Sequence, residues 1–208
     1  MRRDGRCALA TLGVLYFAAV IALPTAGQTL FDRRPVLVTD PVPGRFSVCY
    51  GHSCSRVATV TLTTTEWDRV RAVFLPPAAS AAEERGRIAA AIALLEETVG
   101  THTGTWRDLG GDVRGFARPG QMDCVDEATN STTYLEMFAA EHLLVWHTVR
   151  QPRKRGHLVW GVPHATAVIV DARSGETWAV DSWFLDNGKP PYIVPYGYWQ
   201  TGWSPLPE

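Results

Sequence analysis

The chain has 208 residues, which is long enough for one ordinary domain with a hydrophobic core. Its composition, 46 % hydrophobic and 20 % charged, is typical of a globular protein and excludes a disordered one. A formal net charge of −1 gives no reason to expect nucleic acid as a partner.

Residues 1–27 have the pattern of a targeting segment. Arg2, Arg3 and Arg6 precede residues 7–23, which carry no charge, and small residues follow. A signal peptide has an apolar core of roughly 7–15 residues, whereas a membrane span needs about 17 or more. The pattern favours a cleaved signal peptide, with inner-membrane anchoring as the alternative. Either one exports the rest of the chain, so we expect a protein that is periplasmic or membrane-anchored facing the periplasm.

Export makes the cysteines informative. Cys49 and Cys54 flank a glycine-containing turn, and in an oxidising compartment such a pair is expected to form a disulfide. Cys124 is then unpaired, which makes it either a buried inert thiol or a reactive one. A zinc site at the cysteine pair is disfavoured because no second pair of cysteines or histidines completes four ligands, so no metal is expected.

The N-terminal part of the exported chain predicts a spacer followed by a hairpin. Residues 28–45 are interrupted by prolines and read as an extended spacer. Two β-like runs follow at residues 46–49 and 57–62, and the cysteine pair lies in the turn between them.

Two helices are predicted next. Thr63 with Glu66 and Ser80 with Glu83 each form the spacing of a capping box, and apolar residues recur at helical intervals after both. Gly100 is the expected stop of the second helix. These helices are interpreted as scaffold.

The glycine-rich residues 100–120 predict a long loop that leads to Cys124 and forms one wall of a cleft. Trp106 could point into this cleft or anchor the loop to the core. Gln121, shortly before the cysteine, is a candidate oxyanion donor or cleft residue.

A helix is predicted to begin at Cys124, with Asp123 as its N-cap, and to run to about His142. The unpaired N–H groups and the dipole at a helix N-terminus favour a thiolate, so we expect a lowered pKa for Cys124. Asp126 and Glu127, together with Asp123, put negative charge nearby. They could bind a cation or a substrate amine, but serving the helix N-terminus is the favoured role.

The C-terminal third is predicted to be β structure. The expected strands comprise residues 144–149, 157–160, 164–170 and 176–184. Between them, residues 150–155 read as a basic loop, for which a solvated turn is favoured over a site for an acidic ligand, and residues 171–175 read as a turn. Residues 190–208 are rich in proline, tyrosine and tryptophan and are expected to wrap the sheet, with a short strand near residues 192–194.

A hairpin centred on that turn places His164 directly opposite Asp181. Residues opposite each other on one face lie about 4.5–5.5 Å apart between Cβ atoms, close enough for a carboxylate to hold an imidazole N–H. A one-residue change of register would move Asp181 to the other face.

Cys124, His164 and Asp181 together have the chemistry of a catalytic triad. An imidazolium stabilises a thiolate beside it, and a carboxylate orients the imidazole. Backbone N–H groups at the helix N-terminus could hold an oxyanion. The chain contains no GxSxG, HExxH, P-loop or GxGxxG motif, which disfavours serine hydrolases, zincins and nucleotide-binding proteins, and no cofactor is expected.

Residues 119–184 resemble the core of the transglutaminase-like superfamily of papain-like fold, and more closely its bacterial cysteine-peptidase branch. The matching features are the segment 123–127 opening a helix, His164 beginning an apolar strand and Asp181 on the next strand. The resemblance implies an α+β fold with the nucleophile helix packed on an antiparallel sheet. It also implies a triad of Cys124, His164 and Asp181 that acts on amide bonds through a thioester.

The sequence therefore predicts one transglutaminase-like domain over residues 46–208. Its expected function is that of an exported cysteine hydrolase that cleaves a peptide or protein substrate, or another amide, in the cell envelope. Three alternatives stay open: an amine-transferring transglutaminase, a peptidoglycan peptidase of a related papain-like family, and a catalytically inactive binding module.

Overall fold

The computed structural model describes residues 36–112, 115, 118–156 and 163–205, all within one compact unit, Arg34–Glu208. The predicted targeting segment, residues 1–27, and the first part of the predicted spacer, residues 28–35, lie outside these residues. Within the described ranges, no helix has the length and apolar character needed to span a bilayer.

The described part is a mixed α+β fold, which confirms the predicted class. Its helices and strands are, in chain order, β1 (Phe46–Tyr50), β2 (Arg56–Val60), α1 (Thr64–Val73), α2 (Ala81–Thr103), a 3-10 turn (Thr105–Arg107), α3 (Cys124–Ala140), β3 (His147–Arg155), β4 (His164–Asp171), β5 (Thr177–Asp181), β6 (Tyr192–Pro195) and α4 (Tyr196–Gln200). Strands β1 and β2 form one antiparallel sheet, and β3-β4-β5-β6 form a second in that order.

The β1–β2 hairpin confirms the predicted disulfide. Cys49 and Cys54 are bonded, and their Cα atoms lie 4.6 Å apart. Cys49 pairs with Val57 in the ladder, so the bond closes the loop at the end of the hairpin. Cys124 is the free cysteine of the described residues.

The two scaffold helices begin as predicted, but the second ends later. Thr63 and Glu66 form a reciprocal capping box at α1, and the side chain of Ser80 accepts the Glu83 N–H at α2. Helix α2 does not stop at Gly100 but continues to Thr103, before Gly104, which has a φ of 84°. Gly100 is needed for packing instead, since a Cβ there would lie 2.9 Å from the backbone nitrogen of Trp106.

Helix α3 is the central element, in contact with β1, β3, β4, β5 and α2. Leu135 and Phe138 are fully buried and pack in one core with Ile92 of α2 and Ile169 of β4. The middle of this helix contains residues of low helix propensity, and one of them, Asn130, makes a tertiary contact. Asn130 accepts the Cys49 N–H at 2.7 Å and donates to the Cys49 carbonyl at 2.9 Å, which ties α3 to β1.

The first strand of the larger sheet differs from the prediction. Residues 147–155 form one continuous strand, β3, rather than a strand followed by a basic loop. The ladder with β4 shifts its register between Arg150 and Arg153, around Pro152, as expected where a proline cannot donate to the ladder. An edge strand tolerates both this bulge and a row of basic side chains. The strand predicted at residues 157–160 lies outside the described residues.

The C-terminal segment confirms a short strand near residues 192–194, since β6 pairs with β5 along the far edge of the sheet. Helix α4 follows directly and brings Trp199 into the interior, where it is 0 % exposed.

We predict that Asn130→Ala lowers the free energy of unfolding by roughly 2–4 kcal/mol, because the buried N–H and C=O of Cys49 both lose their partner. Urea denaturation measures this loss. Thr133→Ala is the matched control, since the Thr133 hydroxyl donates only within α3, to the Thr129 carbonyl. The control should change stability by about 0.5 kcal/mol or less. Equal losses in both variants would contradict a bridging role for Asn130.

Candidate active site

A cavity of about 440 Å³ lies where the N-terminus of α3 meets the first residue of β4. Cys124 and His164 both line it, from the helix and from the sheet respectively. The structure thus brings two of the three predicted triad residues to one surface, and the third, Asp181, lies behind His164.

Cys124 is the first residue of α3, and its position depends on the cap before it. The Asp123 carboxylate accepts the N–H groups of Val125 and Asp126, and the Asp126 side chain accepts the Asp123 N–H in return. This confirms Asp123 as the N-cap. The backbone N–H of Ala165, the residue after His164, hydrogen-bonds the Cys124 sulfur, so the thiol lies against the start of β4.

The pKa of Cys124 does not follow the prediction of a lowered value. Burial raises the pKa of this thiol, the carboxylates of Asp123 and Asp181 raise it further, and the Ala165 N–H only partly offsets them. Desolvation therefore outweighs the helix N-terminus. A thiolate here needs a proton acceptor beside it, and His164 is the residue in the cavity with that chemistry.

His164 is held by a buried carboxylate. Its Nε2 lies 2.7 Å from Oδ2 of Asp181, and the two residues are only 6 % and 1 % exposed. Because the carboxylate accepts, Nε2 carries the hydrogen and Nδ1 is left as the basic nitrogen.

The register of this hairpin differs from the predicted one by two residues. Strand β4 pairs Ala167 with Val180, so continuing the ladder places Asp181 opposite Thr166 rather than opposite His164. An even shift keeps a side chain on the same face of the sheet, which is why the His164–Asp181 contact survives.

Trp199 completes the surroundings of Asp181 and was not singled out in the sequence. Its indole Nε1 donates to the same Oδ2 at 2.6 Å, while Oδ1 has no hydrogen-bond partner among the described residues. The rings of Trp183, Phe184 and Trp199 have centroids 5.0, 5.2 and 5.7 Å from the imidazole. They restrict water around His164. The aromatic-rich tail was the sequence signal for Trp199, whereas Trp183 and Phe184 lie at the end of the segment predicted as a strand.

Arg155 is a second residue that the sequence did not assign to the site. It was predicted to lie in a solvated loop, but it ends β3 directly opposite His164 and lines the cavity. Its guanidinium donates to the main-chain carbonyls of Trp199 and Trp203 and lies 4.4 Å from the centroid of the Trp199 ring.

Two other predicted residues are not brought to the cavity. Gln121 is 2 % exposed, and its amide donates to the Arg107 carbonyl at 2.6 Å, so it is unavailable to an oxyanion. Trp106 is 56 % exposed and is covered by the Arg107 guanidinium, 4.2 Å from its centroid, so it neither enters the cleft nor anchors the loop in the core. The glycine-rich loop contributes Asp112 to the cavity instead.

The disulfide loop forms another wall, through His52. Residues 52–54 have positive φ angles of 71°, 55° and 53°, a left-handed path that is costly for side chains other than glycine. The Asp126 carboxylate accepts the N–H groups of His52 and Cys54, and Asp123 accepts that of Ser53. The carboxylates at the helix N-terminus thus also hold this loop in place.

These contacts support the favoured role of Asp123 and Asp126 at the helix N-terminus. Among the described residues, Cys49, Cys54 and Asp126 place potential metal-ligand atoms within 4.8 Å of one another. Both sulfurs are in the disulfide, and both Asp126 oxygens accept backbone N–H groups, so the cluster is structural.

Glu127 belongs to a buried acidic cluster beneath the helix, together with Glu96 and Asp108. Burial raises the pKa of Glu96 to about 8 and that of Asp108 to about 7. The pKa of Glu127 is raised well above its usual value by burial and by the charges of the other two carboxyls. Burial thus favours the protonated form of Glu127, which donates a hydrogen bond to Asp108, and Asp108 also accepts the Met122 N–H at 2.6 Å.

No protein-family model matches this chain, and neither does any curated protein or solved structure. A functional conclusion therefore depends on the chemistry of Cys124, His164 and Asp181 in their cavity.

We predict that Trp199→Phe slows alkylation of Cys124 roughly tenfold, because Asp181 loses one of the two donors that fix its position. The lost hydrogen bond to a charged group should also cost about 1.5–3 kcal/mol in urea denaturation. Trp203→Phe is the matched control, since Trp203 meets Arg155 only through its main-chain carbonyl. The same loss of reactivity in both variants would show that ring packing, and not the Trp199 N–H, is responsible.

We predict that stability falls as pH rises from about 5 to 8. The folded protein holds protons on Glu96 and Asp108 until the pH approaches their raised pKa values of about 8 and 7, and the pKa of Glu127 is raised as well, whereas the unfolded chain releases these protons near pH 4–4.5. A tenfold change in an acidity constant is worth about 1.4 kcal/mol, so the free energy of unfolding should fall by an amount on the order of a few kcal/mol.

Urea denaturation at several pH values measures this dependence. Glu127→Gln should flatten it, because glutamine is neutral at every pH and can still donate to Asp108. Below about pH 4.5 the slope should reverse, since the Thr63 N–H lowers the pKa of Glu66 to about 2. A wild-type slope in Glu127→Gln would contradict a titrating cluster.

Proposed function

We propose that the protein is an exported cysteine hydrolase of transglutaminase-like, papain-like fold that cleaves a peptide or other amide bond. Cys124 is the nucleophile, His164 the general base and acid, and Asp181 the residue that orients His164. One observation carries the proposal: a free cysteine at a helix N-terminus shares a cavity with a histidine whose far nitrogen is bound by a buried carboxylate.

The first half of the reaction forms a thioester. Nδ1 of His164 takes the thiol proton, and the Cys124 sulfur attacks the carbonyl carbon of the amide. The oxyanion is stabilised by the backbone N–H of Cys124, because the Asp123 carboxylate already accepts the next two N–H groups of α3. The imidazolium then gives its proton to the amide nitrogen, the C–N bond breaks, and the amine leaves while the acyl group stays on sulfur.

The second half returns the enzyme to its starting state. Nδ1 of His164 takes a proton from water, and the resulting hydroxide attacks the thioester carbon. The C–S bond then breaks, and the imidazolium returns its proton to the departing Cys124 sulfur. The products are a carboxylic acid and the Cys124 thiol. An amine in place of water would give a new amide, which is the transglutaminase alternative.

The Cys49–Cys54 disulfide supports a non-reducing, exported location. Together with the targeting pattern of residues 1–27, it points to a substrate in the cell envelope, and a peptidoglycan peptide is one member of that class. The same disulfide closes the loop that presents His52 to the cavity, so oxidation and the shape of the site are linked.

We predict that Cys124 reacts with iodoacetamide at pH 6 much faster in the folded protein than after unfolding. Burial raises the pKa of the isolated thiol, so this reactivity has to come from proton transfer to His164. His164→Ala should therefore reduce the rate about 10²-fold or more. Asp181→Asn should reduce hydrolysis of a fluorogenic peptide library about 10²–10³-fold, less than the roughly 10⁴-fold loss in the serine-protease case.

Thermal melts of the same variants separate the site from the scaffold. Cys124→Ala should remove turnover and still melt cooperatively, and Asp181→Asn should change stability by under about 1.5 kcal/mol because asparagine can still hydrogen-bond. A fluorescent primary amine that is incorporated in preference to hydrolysis would identify a transglutaminase. A folded protein whose cysteine reacts no faster than in the denatured chain would indicate an inactive binding module.

A further inference from the structure

Arg155 is a cation in the cavity without a carboxylate partner among the described residues. The groups that bind it there are two main-chain carbonyls, of Trp199 and Trp203, and the face of the Trp199 ring. Burial lowers the pKa of this guanidinium, and the charges of Asp181 and Cys124 oppose that effect. Its charge is thus partly desolvated, and no ion pair within the described ranges neutralises it.

The acidic side chains of the cavity are engaged elsewhere. Asp112 forms an ion pair with Arg118, with an N–O distance of 3.0 Å. Asp123 accepts two N–H groups at the helix N-terminus through one oxygen, and the N–H and hydroxyl of Ser53 through the other. Asp181 lies behind His164 rather than in the lining, and its Oδ2 is shared by His164 and Trp199. Arg155 is therefore left as a cation in the cavity that can bind an anionic group of a ligand.

The guanidinium is also held in one orientation. It has five N–H donors in a planar fork, and the two carbonyls account for two of them. Stacking on Trp199 fixes its plane. A fixed guanidinium with spare donors is the group that proteins use for two-point binding of carboxylates.

We propose that Arg155 binds a carboxylate of the substrate, so that the amide presented to Cys124 lies next to a carboxylate. This inference rests on the proposed function, because it assumes that the molecule bound in the cavity is a substrate. The strand pairing places Arg155 directly opposite His164, and Arg155 and Cys124 line the same cavity. The carboxylate is either the free C-terminus of a peptide or the side chain of an acidic residue beside the scissile bond.

The first test compares two reagents of similar size, iodoacetate and iodoacetamide, in their reaction with Cys124. The ratio of the iodoacetate rate to the iodoacetamide rate should be about 5–10-fold higher in the folded protein than in the denatured chain. Arg155→Gln should return it to the denatured value, and Arg155→Lys should keep part of it because the charge remains.

Arg153→Gln is the matched control, since it removes the same charge from an exposed position on the same strand. It should leave the ratio unchanged. If Arg155→Gln slows both reagents equally, Arg155 acts only on the thiolate and the proposal is overturned. If neither reagent reacts faster than with the denatured chain, the proposed function fails, and the second test still decides the role of Arg155.

The second test measures binding to the Cys124→Ala variant by ligand-observed NMR. N-acetyl-alanyl-alanine is compared with its C-terminal amide, and N-acetyl-alanyl-glutamic acid amide with the matching glutamine peptide. A preference of about fivefold or more for one carboxylate form identifies its source as the C-terminus or the side chain. The preference should disappear when Arg155→Gln is added and persist when Arg153→Gln is added. Equal binding of all four peptides would overturn the proposal.

Discussion

The hydrogen bonds to one oxygen of Asp181 hold the candidate site together. His164 binds Oδ2 from β4, and Trp199 binds the same oxygen from the C-terminal helix. Arg155, at the end of the edge strand, then holds the carbonyl of Trp199 and stacks on its ring. The buried carboxylate of Asp181 thus connects strand β4 with helix α4 directly, and with the edge strand β3 through Trp199. Because a buried charge is costly without donors, each of these contacts depends on the others.

The opposite side of the cavity depends on two carboxylates with a double task. Asp123 and Asp126 cap helix α3 and also accept the backbone N–H groups of the disulfide loop, residues 52–54. The cap places Cys124, while the loop places His52 on the cavity wall. These bonds offset the cost of the left-handed backbone in the loop. The local signal that begins the helix therefore also shapes the site.

Features that depend on neighbours within a few residues were readable in the sequence. The cap at Asp123 and the box at Thr63 follow from hydrogen bonds that span two or three residues, so spacing alone predicts them. The disulfide follows from two close cysteines in one turn. The alternation of residues along β4 and β5 indicated that His164 and Asp181 share a face, which survives an error of two residues in register.

Only the tertiary structure decided what lies far apart in the chain. Helix α2 passes Gly100 because another segment packs there, and the register of β4 and β5 depends on the whole sheet rather than on its turn. Arg155 and Trp199 enter the site because an edge strand and a chain end close over Asp181, a contact that no local pattern encodes. Sequence indicates which residues can carry charge, but burial sets their pKa, and burial is a property of the packed fold.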